Sequence, residues 1–179
     1  MGIHQISVTY QADQDRLLVR LRTHAAERIE LWLTRRMMMR LWTPLQQSAD
    51  RVCLRSASPG STVLPEAQDM MNRAARDKSR QSADFESAFD ESFTSRPLGD
   101  QPMLVHAVDM QEKGQGQPLM LKFRDAAHRE MTLDVGNDLF LNLLGLIEQA
   151  LEQAEWGWTK TKPATQQVGS APTPQRILN

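Results

Sequence analysis

The chain has 179 residues, 40% of them apolar, which suits one domain or two small lobes with a common core. Its formal net charge of −1 gives no overall attraction to nucleic acid or acidic membranes, and its single cysteine, Cys53, excludes an internal disulfide. The first ten residues alternate like a strand, without the apolar stretch of a signal peptide, and no apolar run approaches a membrane span. We therefore expect a cytoplasmic protein without membrane contact, in which Cys53 is a small buried residue.

Three strands are predicted in the first part of the chain. Apolar and polar residues alternate over 6–10, 17–21 and 29–33, as in strands with one buried face. Polar turns separate the three runs.

A helix is predicted directly after the third strand. Thr34 is a suitable N-cap residue, and Pro44 is expected to kink the helix or to end its regular part. The apolar positions of this helix are Met37, Met38, Leu41, Trp42 and Leu45. Strands and helix together make up the first repeat, residues 1–55.

An insert, residues 56–102, follows the first repeat. It contains a short amphipathic helix and, after it, an acidic segment with three phenylalanines. The apolar positions of the short helix are Ala67, Met70, Met71, Ala74 and Ala75.

The second repeat, residues 103–159, has the same order of elements. We predict strands within Met103–Met110, 119–123 and 131–135, and then a helix that Asn137 or Asp138 can cap. The helix has its apolar positions at Leu139, Phe140, Leu143, Leu144, Ile147 and Leu151. Residues 160–179 are rich in Thr, Gln, Pro and Ser and are predicted to be disordered.

Residues 17–45 align with residues 119–147 without a gap at a constant offset of 102. Identical pairs include Arg22 with Arg124 and Leu31 with Leu133. A repeat of this size predicts two copies of one supersecondary unit packed about a pseudo-twofold axis. The expected fold class is α+β, with an antiparallel three-strand sheet and a covering helix in each copy, that is, βββα twice.

The outward faces of the predicted second and third strands form the first candidate site. The first copy presents Arg20, Arg22, Arg28 and Trp32 there, and the second presents Lys122, Arg124, Glu130 and Asp134. Basic groups beside an aromatic ring are typical of surfaces that bind single-stranded nucleic acid. The alternative is a solvated face with cross-strand ion pairs, such as Arg20 or Arg22 with Glu30. The nucleic-acid hypothesis rests on Arg20, Arg22, Trp32, Lys122 and Arg124.

Phe85, Phe89 and Phe93 form the second candidate site. They stand four residues apart among acidic residues, which is the spacing of an apolar stripe on a short acidic helix. Such a helix can bind in the groove of a partner protein. Alternatively, the three rings pack on this protein's own sheet or on a second copy, because exposed phenylalanines favour aggregation.

Catalytic and metal signatures are missing from the sequence. The four histidines, His4, His24, His106 and His128, have no short ligand spacing, and no Gly-x-Ser-x-Gly motif occurs. We therefore expect no enzyme activity, no metal site and no cofactor.

Two sheet-plus-helix units, each with its last strand running almost directly into the helix, resemble the Whirly and transcriptional-coactivator type of single-stranded-DNA-binding fold. The segments that carry the resemblance are Ile29–Thr34 leading into Met37–Leu45, and Met131–Val135 leading into Leu139–Leu151. The chain departs from that family in having three predicted strands per unit instead of four, and no lysine-rich strand motif. The resemblance implies binding of single-stranded nucleic acid.

The sequence thus predicts a non-enzymatic scaffold that binds another macromolecule. Another protein is the expected partner, held through Phe85, Phe89 and Phe93 or through an outer sheet face. Single-stranded DNA or RNA is the alternative partner, and a homo-oligomer is compatible with the repeat.

Overall fold

The structure, a computed structural model, describes residues 2–57, 70, 73–75, 77–78, 88–112 and 119–157. Strands and helices combine in one core, so the predicted α+β class is confirmed. The elements are β1 (Ile3–Gln11), β2 (Arg16–Thr23), β3 (Arg28–Thr34), α1 (Arg35–Ala57), β4 (Met103–Leu104), β5 (Ala107–Glu112), β6 (Leu119–Arg124), β7 (Glu130–Val135) and α2 (Asn137–Ala154).

The insert and the tail are described only in part. Met70 and residues 73–75 and 77–78 are helical, in agreement with the short helix predicted there. Ala67, Met71 and the tail 160–179 lie outside the described residues.

The first sheet has the strand order β1-β2-β3-β4. The first three strands form an antiparallel meander, and β4 pairs with β3 in parallel through Leu31 with Met103 and Trp32 with Leu104. Alternation places Leu17, Val19 and Leu21 inside, because successive side chains of a strand point to opposite faces.

The second sheet has the order β5-β6-β7 and is antiparallel throughout. The strand predicted within Met103–Met110 is therefore two strands, which belong to different sheets. Met103 is fully buried and Leu104 pairs with the first sheet, whereas β5 begins at Ala107. The prediction was wrong because a run of alternating apolar residues does not show which sheet each part joins.

Strand register is the same in both sheets at the offset of 102. The pair Val19 and Leu31 corresponds to the pair Leu121 and Leu133. The first strands follow the same rule, since Val8 faces Val19 as Met110 faces Leu121. The hairpin turns also agree: Ala26 and His128, again 102 apart, have φ values of 55° and 63°.

Helix α1 begins at Arg35, directly after the last residue of β3, and α2 begins at Asn137, with Gly136 between it and β7. Thr34 caps α1 as predicted, because its hydroxyl accepts the N–H of Met37 at 3.2 Å. At α2 the N-cap residue is Gly136 and makes no side-chain cap, so the predicted capping by Asn137 or Asp138 was wrong. Helix α1 also continues past Pro44 to Ala57.

Each helix reaches across to the other unit. Helix α2 packs against β1 of the first sheet, and its C-terminal end is followed by the buried Trp156, which contacts Tyr10 and Asp15. Helix α1 contacts the second sheet through an ion pair of Arg51 with Glu112, 2.6 Å long. Because α2 packs against the first sheet and α1 packs against both β3 and α2, the two units share one apolar core.

A small apolar cavity of about 20 Å³ lies in the middle of this core. It is lined by both sheets and both helices, including Val19, Leu41, Leu121 and Leu143. Pockets for small-molecule ligands measure about 300 Å³ or more. This cavity is therefore a packing defect and not a ligand site.

Cys53 is buried in the same core, as predicted. Within the described parts of the chain, no helix has the length and apolar character needed to cross a membrane.

Candidate macromolecule-binding site

The outer face of the first sheet carries three arginines on neighbouring strands. Arg20 and Arg22 alternate with the buried residues of β2, and Arg28 lies opposite Arg22 at the start of β3. We call these three side chains the basic face. Their side chains are only 19%, 15% and 15% exposed, although they point away from the core. Something other than solvent therefore covers them.

The cover is a part of the chain's own insert, residues 88–95, which we call the acidic segment. Its carboxylates pair with all three arginines. Glu91 contacts Arg20 through one oxygen and Arg28 through the other, the latter at 2.7 Å. Asp90 contacts Arg22 at 3.0 Å. The segment, about 70 positions further along the chain, thus supplies two carboxylates to the three arginines, and Glu30 on β3 supplies a third through its ion pair with Arg28.

Phenylalanine rings of the same segment lie on the guanidinium groups. The Arg20 guanidinium carbon is 4.8 Å from the ring centroid of Phe89. Phe93 lies between two cations, Arg28 at 5.6 Å and Arg96 at 4.6 Å. Each ring is therefore held by a cation–π contact in addition to the ion pairs.

Hydrogen bonds fix the position of the acidic segment along the sheet. The backbone N–H of Asp90 donates to the side-chain oxygen of Gln5 at 3.0 Å, and Arg22 donates to the carbonyl oxygen of Ser92 at 3.1 Å. Further on, the N–H of Thr94 donates to the carbonyl of Ala26 at 2.8 Å. The segment thus extends from the β1 side of the face to the β2–β3 turn.

Local hydrogen bonds hold Asp90 in its charged form. The hydroxyl and the backbone N–H of Ser92 both donate to this carboxylate, at 2.7 and 2.9 Å. These bonds, with the charge of Arg22 as a smaller cause, lower the pKa of Asp90 below its usual value. The carboxylate that pairs with the basic face is consequently ionised at neutral pH.

The predicted phenylalanine helix is not formed in the described residues. Residues 88–93 have no regular secondary structure, and Phe85 lies outside the described residues. A spacing of four also puts two residues on the same side of an extended chain, so it does not distinguish the two conformations. Phe89 is half-buried and Phe93 is 42% exposed. Of the two alternatives for the rings, the structure places Phe89 and Phe93 on the protein's own sheet.

An apolar row continues the outer face beyond the basic face. Leu18, Trp32 and Leu104 are neighbours on β2, β3 and β4, on the same side as the arginines. Leu18 and Trp32 are half-buried, and Leu104 is 44% exposed. We call these residues the open row, because the contacts of the acidic segment fall on the arginine end of the face. The predicted site residue Trp32 thus belongs to this row.

On the outer face of the second sheet, the basic side chains pair with acidic side chains of the same sheet. Lys122 and Arg124 occupy the positions of Arg20 and Arg22, as the repeat predicted. Lys122 pairs with Glu130 at 2.8 Å, and Arg124 pairs with Asp109 at 2.7 Å. The hydrogen bond from Lys122 lowers the pKa of Glu130. The five residues of the nucleic-acid hypothesis are therefore divided between two sheets with different electrostatics.

The expected cross-strand ion pairs of the first sheet take another form. Glu30 lies opposite Arg20 in the register, yet its carboxylate pairs with Arg28, two residues away on its own strand, at 2.6 Å. Arg20 instead donates to Ser7 at 3.1 Å and pairs with Glu91. The sequence could not indicate this exchange of partners, since Glu91 is far away along the chain.

In the part of the chain that the structure describes, no group of three or more histidine, cysteine, aspartate or glutamate side chains is arranged to hold a metal. His24 packs against His4, with the ring centroids 5.3 Å apart. Comparisons of the whole chain with protein-family models, with curated proteins and with solved structures found no match.

Proposed function

We propose that this protein is a non-enzymatic binding or adaptor protein whose contact surface is the outer face of the first sheet. Its ligand is an acidic segment of another protein that carries phenylalanine side chains. The cytoplasm is its proposed compartment. Catalysis and cofactors have no part in this proposal.

One observation carries the proposal: the basic face already holds such a segment in cis. Arginines on a sheet fix the positions of carboxylates, and their guanidinium planes accept aromatic rings. A peptide with the same chemistry from a partner would meet the same groups. The ion pairs are partly exposed and individually weak, so the affinity of the face for a peptide should be modest.

Single-stranded nucleic acid is the second candidate ligand. Phosphates can replace the carboxylates of Asp90 and Glu91, and bases can stack where the phenylalanine rings lie. Trp32 in the open row offers a further aromatic surface next to the arginines. The element order that resembles the Whirly type of fold adds to this candidate.

We also propose that residues 1–55 and 103–159 are two copies of one βββα unit. The identical register, the paired turn residues Ala26 and His128 and the equivalent helix starts support this proposal. In this view β4 is an addition to the first sheet. Residues 56–102 are an insert that contains the acidic segment and leads directly into β4.

Fluorescence anisotropy with two labelled probes tests the function. The first probe is a peptide with the sequence of residues 84–96, and the second is a single-stranded oligonucleotide. The protein is the full chain with Phe89→Ala, Asp90→Asn and Glu91→Gln, which removes the ion pairs and the Phe89 ring contact of the acidic segment from the basic face. We expect the peptide to bind, with an affinity that falls as salt increases, because its contacts are ionic.

A matched pair of substitutions locates the binding surface. Arg20→Gln with Arg22→Gln should abolish peptide binding, whereas Lys122→Gln with Arg124→Gln, at the equivalent positions of the second sheet, tests the other face. Loss of binding with the first pair alone supports the first sheet as the peptide site. Oligonucleotide binding that needs both pairs would favour the second candidate. If neither probe binds at low salt, the proposed function is wrong.

A further inference from the structure

The acidic segment occupies the surface that the proposed function assigns to a ligand. Its Asp90 and Glu91 use the same three guanidinium groups that an incoming carboxylate or phosphate would need. Its Phe89 ring lies on Arg20, where an incoming ring would stack. Two occupants cannot hold these groups at once.

We propose that the acidic segment is an intramolecular competitor, and that an incoming acidic protein segment enters over the open row and then displaces it. This inference rests on the proposed function. It adds to that function a closed state, in which the acidic segment lies on the basic face as in the structure, and a route by which a ligand replaces the segment.

Charge and position favour this role over simple structural packing. The two carboxyl side chains that cover the basic face are themselves 45% and 56% exposed, so they can be exchanged without disrupting the core. Residues 88–93, which include both carboxylates, have no regular secondary structure that would have to break, while the backbone hydrogen bonds of Thr94 and Ser95 to the β2–β3 turn can persist. A tether holds them near the face at a high effective concentration, which lets individually weak contacts keep the face closed.

The open row supplies the entry point. Leu18 is two residues from Arg20 on β2, a distance of about 7 Å along a strand. An aromatic or apolar side chain of the ligand can therefore rest on Leu18, Trp32 or Leu104 while its neighbouring acidic group competes for the first arginine. A suitable ligand is an extended acidic segment that is longer than residues 88–95 and carries an apolar side chain at one end.

A comparison of three forms of the full chain tests the competition. The released form carries Phe89→Ala, Asp90→Asn and Glu91→Gln. The control form carries Asp13→Asn and Asp100→Asn, which remove the same amount of charge from residues that do not contact the basic face. The probe is the labelled peptide of residues 84–96, measured at equal salt.

We expect the released form to bind this probe at least about tenfold more tightly than the unaltered chain, because a closed state reduces the apparent affinity by the fraction that is open. The control form should bind like the unaltered chain. Equal affinity of the released form and the unaltered chain would overturn the competitor role and leave the proposed function standing. Failure of all three forms to bind would instead remove the proposed function.

Association kinetics test the entry route separately. Leu104→Gln places a polar side chain on the open row at an exposed edge position, where folding should not suffer. We expect Leu104→Gln as the only substitution to lower the kon of the peptide several-fold, and to have a smaller effect when it is added to the released form. If Leu104→Gln alone leaves kon unchanged, entry does not use the open row.

Discussion

The indole N–H of Trp156 donates a hydrogen bond to the carboxylate of Asp15. This bond joins the end of α2, in the second unit, to the β1–β2 turn of the first. The Tyr10 hydroxyl donates to the same oxygen at 2.9 Å, and its ring meets that of Trp156 edge to face at 5.9 Å. Arg35, at the start of α1, donates to the carbonyl of Trp156 at 3.2 Å. Trp156 thus contacts β1, the β1–β2 turn and the start of α1 in the first unit.

Trp156→Ala should destabilise the whole chain, because Trp156 is only 6% exposed and its removal leaves a cavity at the end of the core. The expected loss is about 3–5 kcal/mol of unfolding free energy, the usual cost of removing a buried tryptophan. Trp156→Phe keeps most of the buried ring but not the N–H, and should lose less. Urea denaturation of the three proteins measures both values. Equal stabilities of the alanine variant and the unaltered chain would contradict the role of Trp156.

Acid should weaken the same junction. Hydrogen bonds from Trp156, and then from Tyr10, lower the pKa of Asp15 below its usual value. The stabilisation from this group is fully present above the unfolded-state pKa of about 3.9 and is lost as the pH falls through the lower folded-state pKa. Asp15→Asn should reduce stability at neutral pH and make it depend less on pH below about 4. Denaturation series between neutral pH and pH 2 check this, and parallel curves for the two proteins would refute it.

Ala26→Gly should stabilise the protein. Ala26 has a φ of 55°, in the left-handed region that costs a residue with a Cβ about 1–2 kcal/mol. Part of the gain is offset by the greater freedom of glycine in the unfolded chain, which leaves about 0.5–1 kcal/mol. Ala25→Gly is the matched control, because Ala25 has no positive φ and should lose stability. Thermal melts that rank the two variants in the opposite order would contradict this account of the turn.

Leu31→Ala and Leu133→Ala remove equivalent buried side chains, each 1% exposed. Each should cost about 2–5 kcal/mol, since the cavity adds to the lost transfer free energy. Because both leucines belong to one shared core, either change should shift a single transition that tryptophan fluorescence and circular dichroism report together. Two separate transitions, of which each variant moves only one, would show that the units unfold independently.

Much of the meander could be predicted from the sequence. Alternation with a period of two marks Leu17, Val19 and Leu21 as an inner face, because only one side of each strand is buried. The offset of 102 then relates these positions to Leu119, Leu121 and Phe123, which are buried in the same register. Local sequence patterns are sufficient to predict burial wherever it depends only on which face of the strand a residue occupies.

The site could be predicted only in pieces. Arg20, Arg22 and Phe89 were recognised as unusual, but as parts of two separate candidate sites. Their contact depends on a loop closure of about 70 residues, and no local periodicity reports such a closure. The sequence indicates Asp90 and Glu91 only as parts of an acidic segment, and not as partners of arginines, because an acidic residue in a polar segment is most often solvated. The position of β4 could not be predicted for a different reason: a strand of two residues is too short to show a periodic pattern.

Arg28 and Glu130 stand at equivalent positions of the proposed repeat, and they can differ only because both copies lie in one chain. Arg28 adds a positive charge that pairs with both Glu30 and Glu91, whereas Glu130 pairs with Lys122 of its own sheet. In a symmetric homodimer of a single unit, any substitution would appear on both sheets at once. In the proposed arrangement of two copies in one chain, the outer face of the second sheet can instead pair its own charges while that of the first sheet holds the acidic segment.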